Sequence, residues 1–229
     1  RRGGDGGGWA RQEHAGGGVR NDSAVNIASA KKPKIVTGSE VQAVFAAKLK
    51  ENGGQASDSM LARFGGSVTV GGVKIATVTA MHSNGRDPDY SGGELAKAMK
   101  DAGIAGYVGE ATGYVLKFSN GLVAYLSGDT GITGDQEKVV RGHYNAKLTV
   151  MNIGDGFTTG PTEAAYVVND LVKPNTVIAS PVNAAAPKGG QMIPGHTTDR
   201  RMAAATMPHL VPRPGQTPAL DTHASGAAW

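Results

Sequence analysis

Apolar and polar residues alternate along the chain in patterns that predict β-hairpins. Residues 67–81 alternate with a period of two around Gly71-Gly72. The runs Tyr114–Phe118 and Leu122–Leu126 are separated by a short segment that contains Asn120-Gly121. Alternating apolar positions on both sides of a glycine-containing turn are typical of antiparallel strand pairs. The pattern therefore predicts two hairpins.

Three other segments have apolar residues at helical spacing. Ser39 is predicted to be the N-cap of a helix that stops at Gly53-Gly54. A second helix is predicted over Leu95–Ala102, which Gly103 follows. A third begins at Pro161, a residue suited to the first helical position, and runs to Lys173.

Strands are predicted on both sides of the third helix, over 147–153 and 176–180, and a short one at Ile35–Thr37. A strand, a helix and a strand within this length predict a βαβ unit with parallel strands and a right-handed crossover. Hairpins early in the chain and a βαβ unit late in the chain predict a mixed α/β layered domain.

The two ends of the chain differ from its middle. Residues 1–23 are rich in glycine, lack the apolar stretch of a signal peptide and are expected to be flexible. Residues 207–229 are expected to be mostly irregular, with a short strand around Leu210 and Val211. The sequence thus predicts one domain over 24–206 between two irregular segments.

Composition excludes several classes of partner and site. The formal net charge is +4 and aromatic residues are 5%, which disfavours nucleic acid as a partner because no basic stripe or stacking platform is present. Cysteine is absent, which excludes disulfides and thiolate metal sites. Because no apolar run is long enough to span a bilayer, we expect a soluble protein without a membrane partner, in the cytoplasm or the periplasm.

Polar residues follow four of the predicted strands. They are His82, Asp129, Asp155 and Asn183. Strand ends often meet at one edge of a layered sheet, and a histidine with a carboxylate there suits a divalent metal.

Each of these residues also has a simpler interpretation. His82 fits a partly buried histidine bonded to backbone, and Asp129 and Asp155 fit turn residues beside glycine. Asn183 fits a helix N-cap. Of the other histidines, His143 is expected in a surface connection, and His196 has no assigned role.

Three ordered motifs, AMHSNG, SGDTG and IGDGFTTGPTEAA, resemble the metallo-β-lactamase superfamily. The resemblance covers about residues 25–193 and is strongest to the branch of small metal-dependent hydrolases that includes the ascorbate-phosphate lactonase. It implies an αββα sandwich and two divalent metal ions, with zinc preferred and manganese or iron as alternatives. By the same resemblance, His82 is a ligand of the first metal. The Asp129 carboxylate is then catalytic and bridges both metals.

The chain departs from the family pattern in its remaining ligands. The HxHxDH motif has no match before Ala24, where His14 is the nearby histidine and hence a candidate metal ligand. The position of the last histidine, after the strand at 176–180, holds Pro181, which has no donor atom for a metal. The opening strands of the family are not recognisable in the glycine-rich start.

The expected function is that of a metal-dependent hydrolase of a small molecule. By the resemblance, hydroxide at the metals attacks an ester, lactone or amide-like bond, and Asn183 and Thr158 orient the substrate. A homo-oligomer is compatible with the sequence. One alternative is a non-catalytic ligand- or partner-binding protein on the same fold with a degenerate metal site. A further alternative is an unrelated α/β domain.

Overall fold

The computed structural model describes residues 18–88, 93–154, 158–180, 187–188, 191–192 and 209–210. The helices are α1 (Gly18–Lys31), α2 (Ser39–Glu51), α3 (Gly93–Asp101) and α4 (Pro161–Tyr166), with a 3-10 turn at Ala56–Asp58 and π-helices at Gln136–Arg141 and Val167–Val172. The strands are β1 (Ile35–Thr37), β2 (Ser59–Leu61), β3 (Ser67–Val70), β4 (Val73–Thr79), β5 (Gly85–Arg86), β6 (Gly106–Tyr107), β7 (Thr112–Lys117), β8 (Val123–Leu126), β9 (Leu148–Met151), β10 (Thr176–Ala179), β11 (Pro187–Lys188), β12 (Gln191–Met192) and β13 (His209–Leu210).

A seven-stranded sheet in the order β13-β10-β9-β8-β7-β4-β3 is the centre of the fold. Strands β8, β9, β10 and β13 are parallel to one another, whereas β7 is antiparallel to both β8 and β4. It follows that β4 runs in the same direction as β8, β9 and β10. The carboxyl ends of these four strands therefore lie at one edge of the sheet, which we call the carboxyl edge.

One face of this sheet packs against α4 and the two π-helices. Strand residues on this face, such as the register pairs Val115–Tyr125 and Met151–Ala179, belong to one buried cluster. The helical side of that cluster is formed by Val140, Ala164, Val167, Val168 and Val172. Burial of these apolar side chains is the main force that holds the helices on the sheet.

A smaller unit is built from α1, α2 and the parallel pair β1–β2. Val25 and Ala28 of α1 are buried with Leu49 of α2 in a second apolar cluster. Gln42 of α2 donates from Nε2 to the carbonyl of Ser59, 2.9 Å away, and the Ser59 hydroxyl donates back to the carbonyl of Gln42 at 2.9 Å. These reciprocal bonds join α2 to β2.

Most predicted elements are present, including the hairpins β3–β4 and β7–β8 and the βαβ unit β9-α4-β10. Gly71 and Gly72 have φ of 56° and 81°, the left-handed pair that a tight two-residue hairpin turn requires. The short strand expected near Leu210 is β13. The mixed α/β layered architecture is confirmed.

Two details differ from the sequence predictions. Helix α1 begins at Gly18, inside the segment predicted to be flexible. Ser39 is the first helical residue rather than the N-cap, because Gly38 is still extended with φ −67° and ψ 171°. Among the described residues, one large sheet and three two-stranded sheets are formed. None of the described helices combines the length and the apolar character needed to cross a bilayer.

Candidate functional site

The carboxyl edge brings together the segments that carry His82 and Asp129. His82 follows β4 and Asp129 follows β8, and β7 lies between these two parallel strands. The prediction that these strand ends share an edge is thus confirmed for the backbone. The pairing of β4 and β8 with β7 aligns these strand ends, so the two segments are positioned by rigid strands rather than by a long loop.

Two hydrogen bonds between the segments hold them side by side. The Met81 N–H donates to the Thr130 hydroxyl at 2.9 Å, and the Gly131 N–H donates to the Met81 carbonyl at 2.9 Å. Because these bonds connect the residue before His82 to the two residues after Asp129, they fix the backbone on which both candidate ligands stand. We call this pair of bonds the edge lock.

Asp129 lies in a turn with a half-buried side chain. Gly128, immediately before it, is buried with φ 62°, a conformation that favours glycine and lets the chain turn sharply at the end of β8. Within the part of the chain that the structure describes, no hydrogen bond or ion pair to the Asp129 carboxylate is found. The backbone therefore forms the predicted turn, but within the described chain the Asp129 carboxylate does not stabilise that turn through a hydrogen bond.

His82 is half-buried, and its ring is oriented by the backbone. Nδ1 lies 2.6 Å from the carbonyl oxygen of Ser83. Because a carbonyl oxygen only accepts, Nδ1 carries the proton, and Nε2 then carries the lone pair in the neutral ring. Asn84 anchors the same loop by donating from Nδ2 to the carbonyl of Gly109 at 2.7 Å. A histidine in this tautomer has the form that binds a metal through Nε2.

Buried polar side chains form hydrogen bonds to the backbone of the Asp129 turn. Asn152, 2% exposed, donates from Nδ2 to the Thr130 carbonyl at 3.1 Å and to the Thr159 hydroxyl at 2.9 Å. The fully buried Gln136 accepts the Thr133 N–H at 2.9 Å and donates to the Gly131 carbonyl at 3.3 Å. The turn is thus held by donors on two different elements.

Asp135 extends this support to the strand that leads to His82. Its carboxylate accepts the N–H of Thr79, the last residue of β4, at 2.9 Å. The sequence reading did not identify Asn152, Gln136 or Asp135. The available signal was position alone, because all three are polar residues close to the ends of predicted strands or turns.

The other predicted site residues are only partly within the described chain. Thr158 is half-buried, and its hydroxyl accepts the Gly154 N–H at 3.1 Å, which closes the loop that follows β9. His143 is exposed in a turn, as expected, and stacks edge-on against Tyr144 with ring centroids 4.6 Å apart. His14, Asp155, Asn183 and His196 lie outside the described residues.

The donors at the edge have the chemistry of a metal site but not a complete set. A neutral imidazole and a carboxylate are common zinc ligands, and catalytic zinc is usually held by about three protein ligands. Across 18–88, 93–154 and 158–180, no group of three or more histidine, aspartate or glutamate side chains is placed to hold a metal. The metal-ligand roles of His82 and Asp129 therefore stay predictions.

Comparison with known proteins gives relatives of one kind. A protein of Koribacter versatilis described as a UPF0173 metal-dependent hydrolase is 32% identical over 155 residues, covering 68% of this chain and 58% of that protein. Another UPF0173 metal-dependent hydrolase, from Chloroflexus aurantiacus, is 38% identical over 104 residues, covering 45% of this chain and 37% of that protein. The chain thus spans about half the length of the curated relatives that it matches, or less. No protein-family model matches the chain.

Among solved structures, the chain is similar to Igni18, described as a metallo hydrolase from the hyperthermophilic archaeon Ignicoccus hospitalis. The TM-score is 0.58 at 22% identity, over 85% of this chain and 71% of that one. At this identity the likeness is one of fold. The interpretation of the chain as an unrelated α/β domain is wrong because of the sequence relatives, which are 32% and 38% identical to it.

Proposed function

We propose that this chain, a relative of metal-dependent hydrolases with the metallo-β-lactamase fold, hydrolyses an ester, lactone or amide-like bond of a small molecule. The observation that carries the proposal is the edge lock, which joins Met81 to Thr130 and Gly131 and so holds His82 and Asp129 on adjacent backbone segments. The lactonase-like bond class rests on the motif resemblance.

His82 and Asp129 are the residues that would hold the metal. Imidazole and carboxylate donors suit zinc, and manganese or iron are the alternatives. When bound at such a site, a divalent cation activates water as a nucleophile near neutral pH and polarises a carbonyl oxygen. Since the described residues offer two donors, further ligands have to come from elsewhere, and His14 is the candidate that the sequence offers.

The chain's own residues give the site its geometry. The Ser83 carbonyl orients the His82 ring, and Gly128 with its positive φ forms the turn that carries Asp129, whose carboxylate would hold metal. We assign Thr158 and Asn183 to substrate orientation, since both belong to segments that follow strands of the carboxyl edge. A small-molecule substrate fits the name of the relatives as metal-dependent hydrolases.

A second function is favoured by one observation, the absence of a third donor beside His82 and Asp129 among the described residues. On that basis the same edge would bind a ligand or partner without catalysis. The two functions differ in one measurable property, because only the hydrolase requires metal.

The test is metal binding by the full chain and by matched variants. Wild type is expected to bind zinc or manganese, whereas Asp129→Asn and His82→Gln are expected to weaken binding at least about tenfold because each removes a donor. The matched controls are Asp170→Asn and His143→Gln. Asp170 and His143 are exposed and lie before β10 and β9, away from the carboxyl edge. Bound metal is measured by elemental analysis and by competition with a chromogenic chelator.

Three results would contradict the hydrolase. They are a folded wild type that binds neither metal, equal losses in the Asp129→Asn and Asp170→Asn proteins, and no ester or lactone turnover in metal-loaded wild type. Metal-free, folded and inactive protein would favour the ligand-binding alternative.

A further inference from the structure

Asn152 occupies an unusual place for an amide side chain. It directly follows β9 and is 2% exposed, beneath the turn that carries Asp129. A buried amide is costly unless its donors and acceptor are all paired, so its partners indicate why it is tolerated there.

Every polar group of Asn152 has a partner within the described chain. Nδ2 donates to the Thr130 carbonyl at 3.1 Å and to the Thr159 hydroxyl at 2.9 Å, and Oδ1 lies 3.1 Å from the donating hydroxyl of Ser127. The backbone N–H of Asn152 donates to the same Ser127 oxygen at 3.0 Å, and its carbonyl accepts the Thr159 hydroxyl at 3.1 Å. The residue is therefore bonded to both loops at the edge, one after β8 and one after β9.

The bonded atoms flank the candidate metal ligand. The Thr130 carbonyl belongs to the residue after Asp129, and it also accepts the Thr159 N–H at 3.0 Å. The Thr130 hydroxyl in turn accepts the Met81 N–H of the edge lock. Asn152 is thus hydrogen-bonded to Thr130, the residue after Asp129. Thr130 is in turn hydrogen-bonded to Met81, the residue before His82.

We propose that Asn152 is a positioning residue that sets the Asp129 turn for metal binding, an inference that rests on the proposed function. Asn152 does not touch the metal. It holds the Asp129 turn and the His82 segment in register, so that the two donors are ordered before a cation arrives. Residues that orient metal ligands are expected to change affinity about tenfold to a hundredfold when they are removed.

Asn152→Asp is the sharpest variant because it keeps the shape of the side chain. It replaces the donor Nδ2 by an acceptor oxygen that faces the Thr130 carbonyl, so the bond becomes a repulsion. Thr159→Val and Thr159→Ser form a second pair. Valine removes the hydroxyl that Asn152 contacts at the same side-chain size, whereas serine retains it. Val172→Ala is the control for stability alone, since Val172 is fully buried in the same apolar cluster but lies on the π-helix that leads into the amino end of β10.

The experiment measures zinc and manganese dissociation constants of each full-length variant, together with the thermal midpoint of the metal-free protein. We expect Asn152→Asp and Thr159→Val to weaken binding about tenfold or more. Thr159→Ser should restore most of the affinity, and Val172→Ala should lower the midpoint without a comparable change in dissociation constant. If Asn152→Asp does not fold, the Thr159 pair carries the test.

Three outcomes would overturn the inference, and they are distinguishable. Wild-type affinity in both Asn152→Asp and Thr159→Val, or an equal loss in Val172→Ala, would overturn the role of Asn152 and leave the proposed function standing. A wild type that binds neither zinc nor manganese would overturn both together.

Discussion

The large side chain of Tyr125 fits into the core because the neighbouring residue on β7 is a glycine. The ring is fully buried and lies against Gly113 of β7, where a Cβ would come within 3.2 Å of Tyr125 Cε2 and 3.1 Å of the Ser127 carbonyl. Glycine at this position therefore allows an aromatic residue to fill the centre of the sheet face. Burial raises the pKa of the Tyr125 phenol from 10.0 to about 12.

This shift predicts a loss of stability in alkali. Below the unfolded pKa the phenol is protonated in both states, and the stability that its burial provides is fully present. As the pH rises from about 10 towards about 12, the unfolded state releases the proton first, so the free energy of unfolding falls, by at most about 3 kcal/mol. Urea unfolding of wild type and Tyr125→Phe at several pH values measures the difference.

The expected result is a smaller alkaline loss in Tyr125→Phe. Other tyrosines, including the half-buried Tyr114, are common to both proteins and cancel in the comparison. Parallel pH profiles in the two proteins would show that the Tyr125 phenol titrates normally in the folded state.

The polar scaffold at the edge could not be predicted at the residue scale. Ser127 and Asn152 are 25 positions apart and meet only because β8 and β9 are paired. A local pattern does not reveal such contacts, since each residue in isolation resembles an ordinary turn former. The sequence predicts His82 and Asp129 as candidates because each follows a predicted strand closely, whereas Asn152 lies inside the predicted strand at 147–153.

Strand β9 is the central parallel element of the sheet and carries one polar residue on its helix-covered face. Thr149 is fully buried and pairs in register with Tyr125 on one side and Val177 on the other. Its hydroxyl has no hydrogen-bond partner within the described residues. A hydroxyl in an apolar layer costs free energy that a methyl group of similar size would not.

We therefore expect Thr149→Val to stabilise the protein by about 1 kcal/mol. The measurement is the midpoint of denaturant unfolding at an unchanged slope. Thr149→Ser is the matched control, because it keeps the hydroxyl and loses the methyl group, and it should be less stable than wild type. A destabilised Thr149→Val protein would indicate that the hydroxyl has a partner, such as a buried water.

Elements with strong local signals were the ones that the sequence predicted. Gly71-Gly72 indicates a hairpin turn and Pro161 indicates the start of a helix, because the backbone preferences of glycine and proline act within a few residues. Helix α1 was missed because its first residues continue a glycine-rich segment. The change from α4 to a π-helix at Val167 was also missed, because the apolar pattern predicts one continuous helix from Pro161 to Lys173.

At the scale of the molecule, the described chain has two apolar clusters of very different size. Fifteen buried residues form the cluster between the main sheet and its helices, whereas three form the cluster of α1 and α2. Buried apolar area sets the free energy of local opening, so the smaller unit should open more readily.

Hydrogen exchange should separate these two units. We expect backbone amides of β1 and β2 to exchange at least about tenfold faster than those of β8 and β9, because opening the small unit breaks fewer apolar contacts. Exchange followed by mass spectrometry on the full chain is suitable, and Leu49→Ala should accelerate exchange within α1, α2, β1 and β2 alone. Equal protection in both units, or acceleration that spreads to β9, would indicate a single cooperative core.

The edge lock also bears on the order in which the protein folds. Met81 and Thr130 are 49 positions apart, whereas β3 and β4 are joined by a two-residue turn. Closing the longer loop costs more chain entropy, so hairpins form early and the lock forms after β4, β7 and β8 have aligned. On the proposed function, an intermediate that has its hairpins would still lack the paired donors and would not yet bind a cation. Metal uptake would then mark the end of folding, and the cation would select chains that are already correctly assembled.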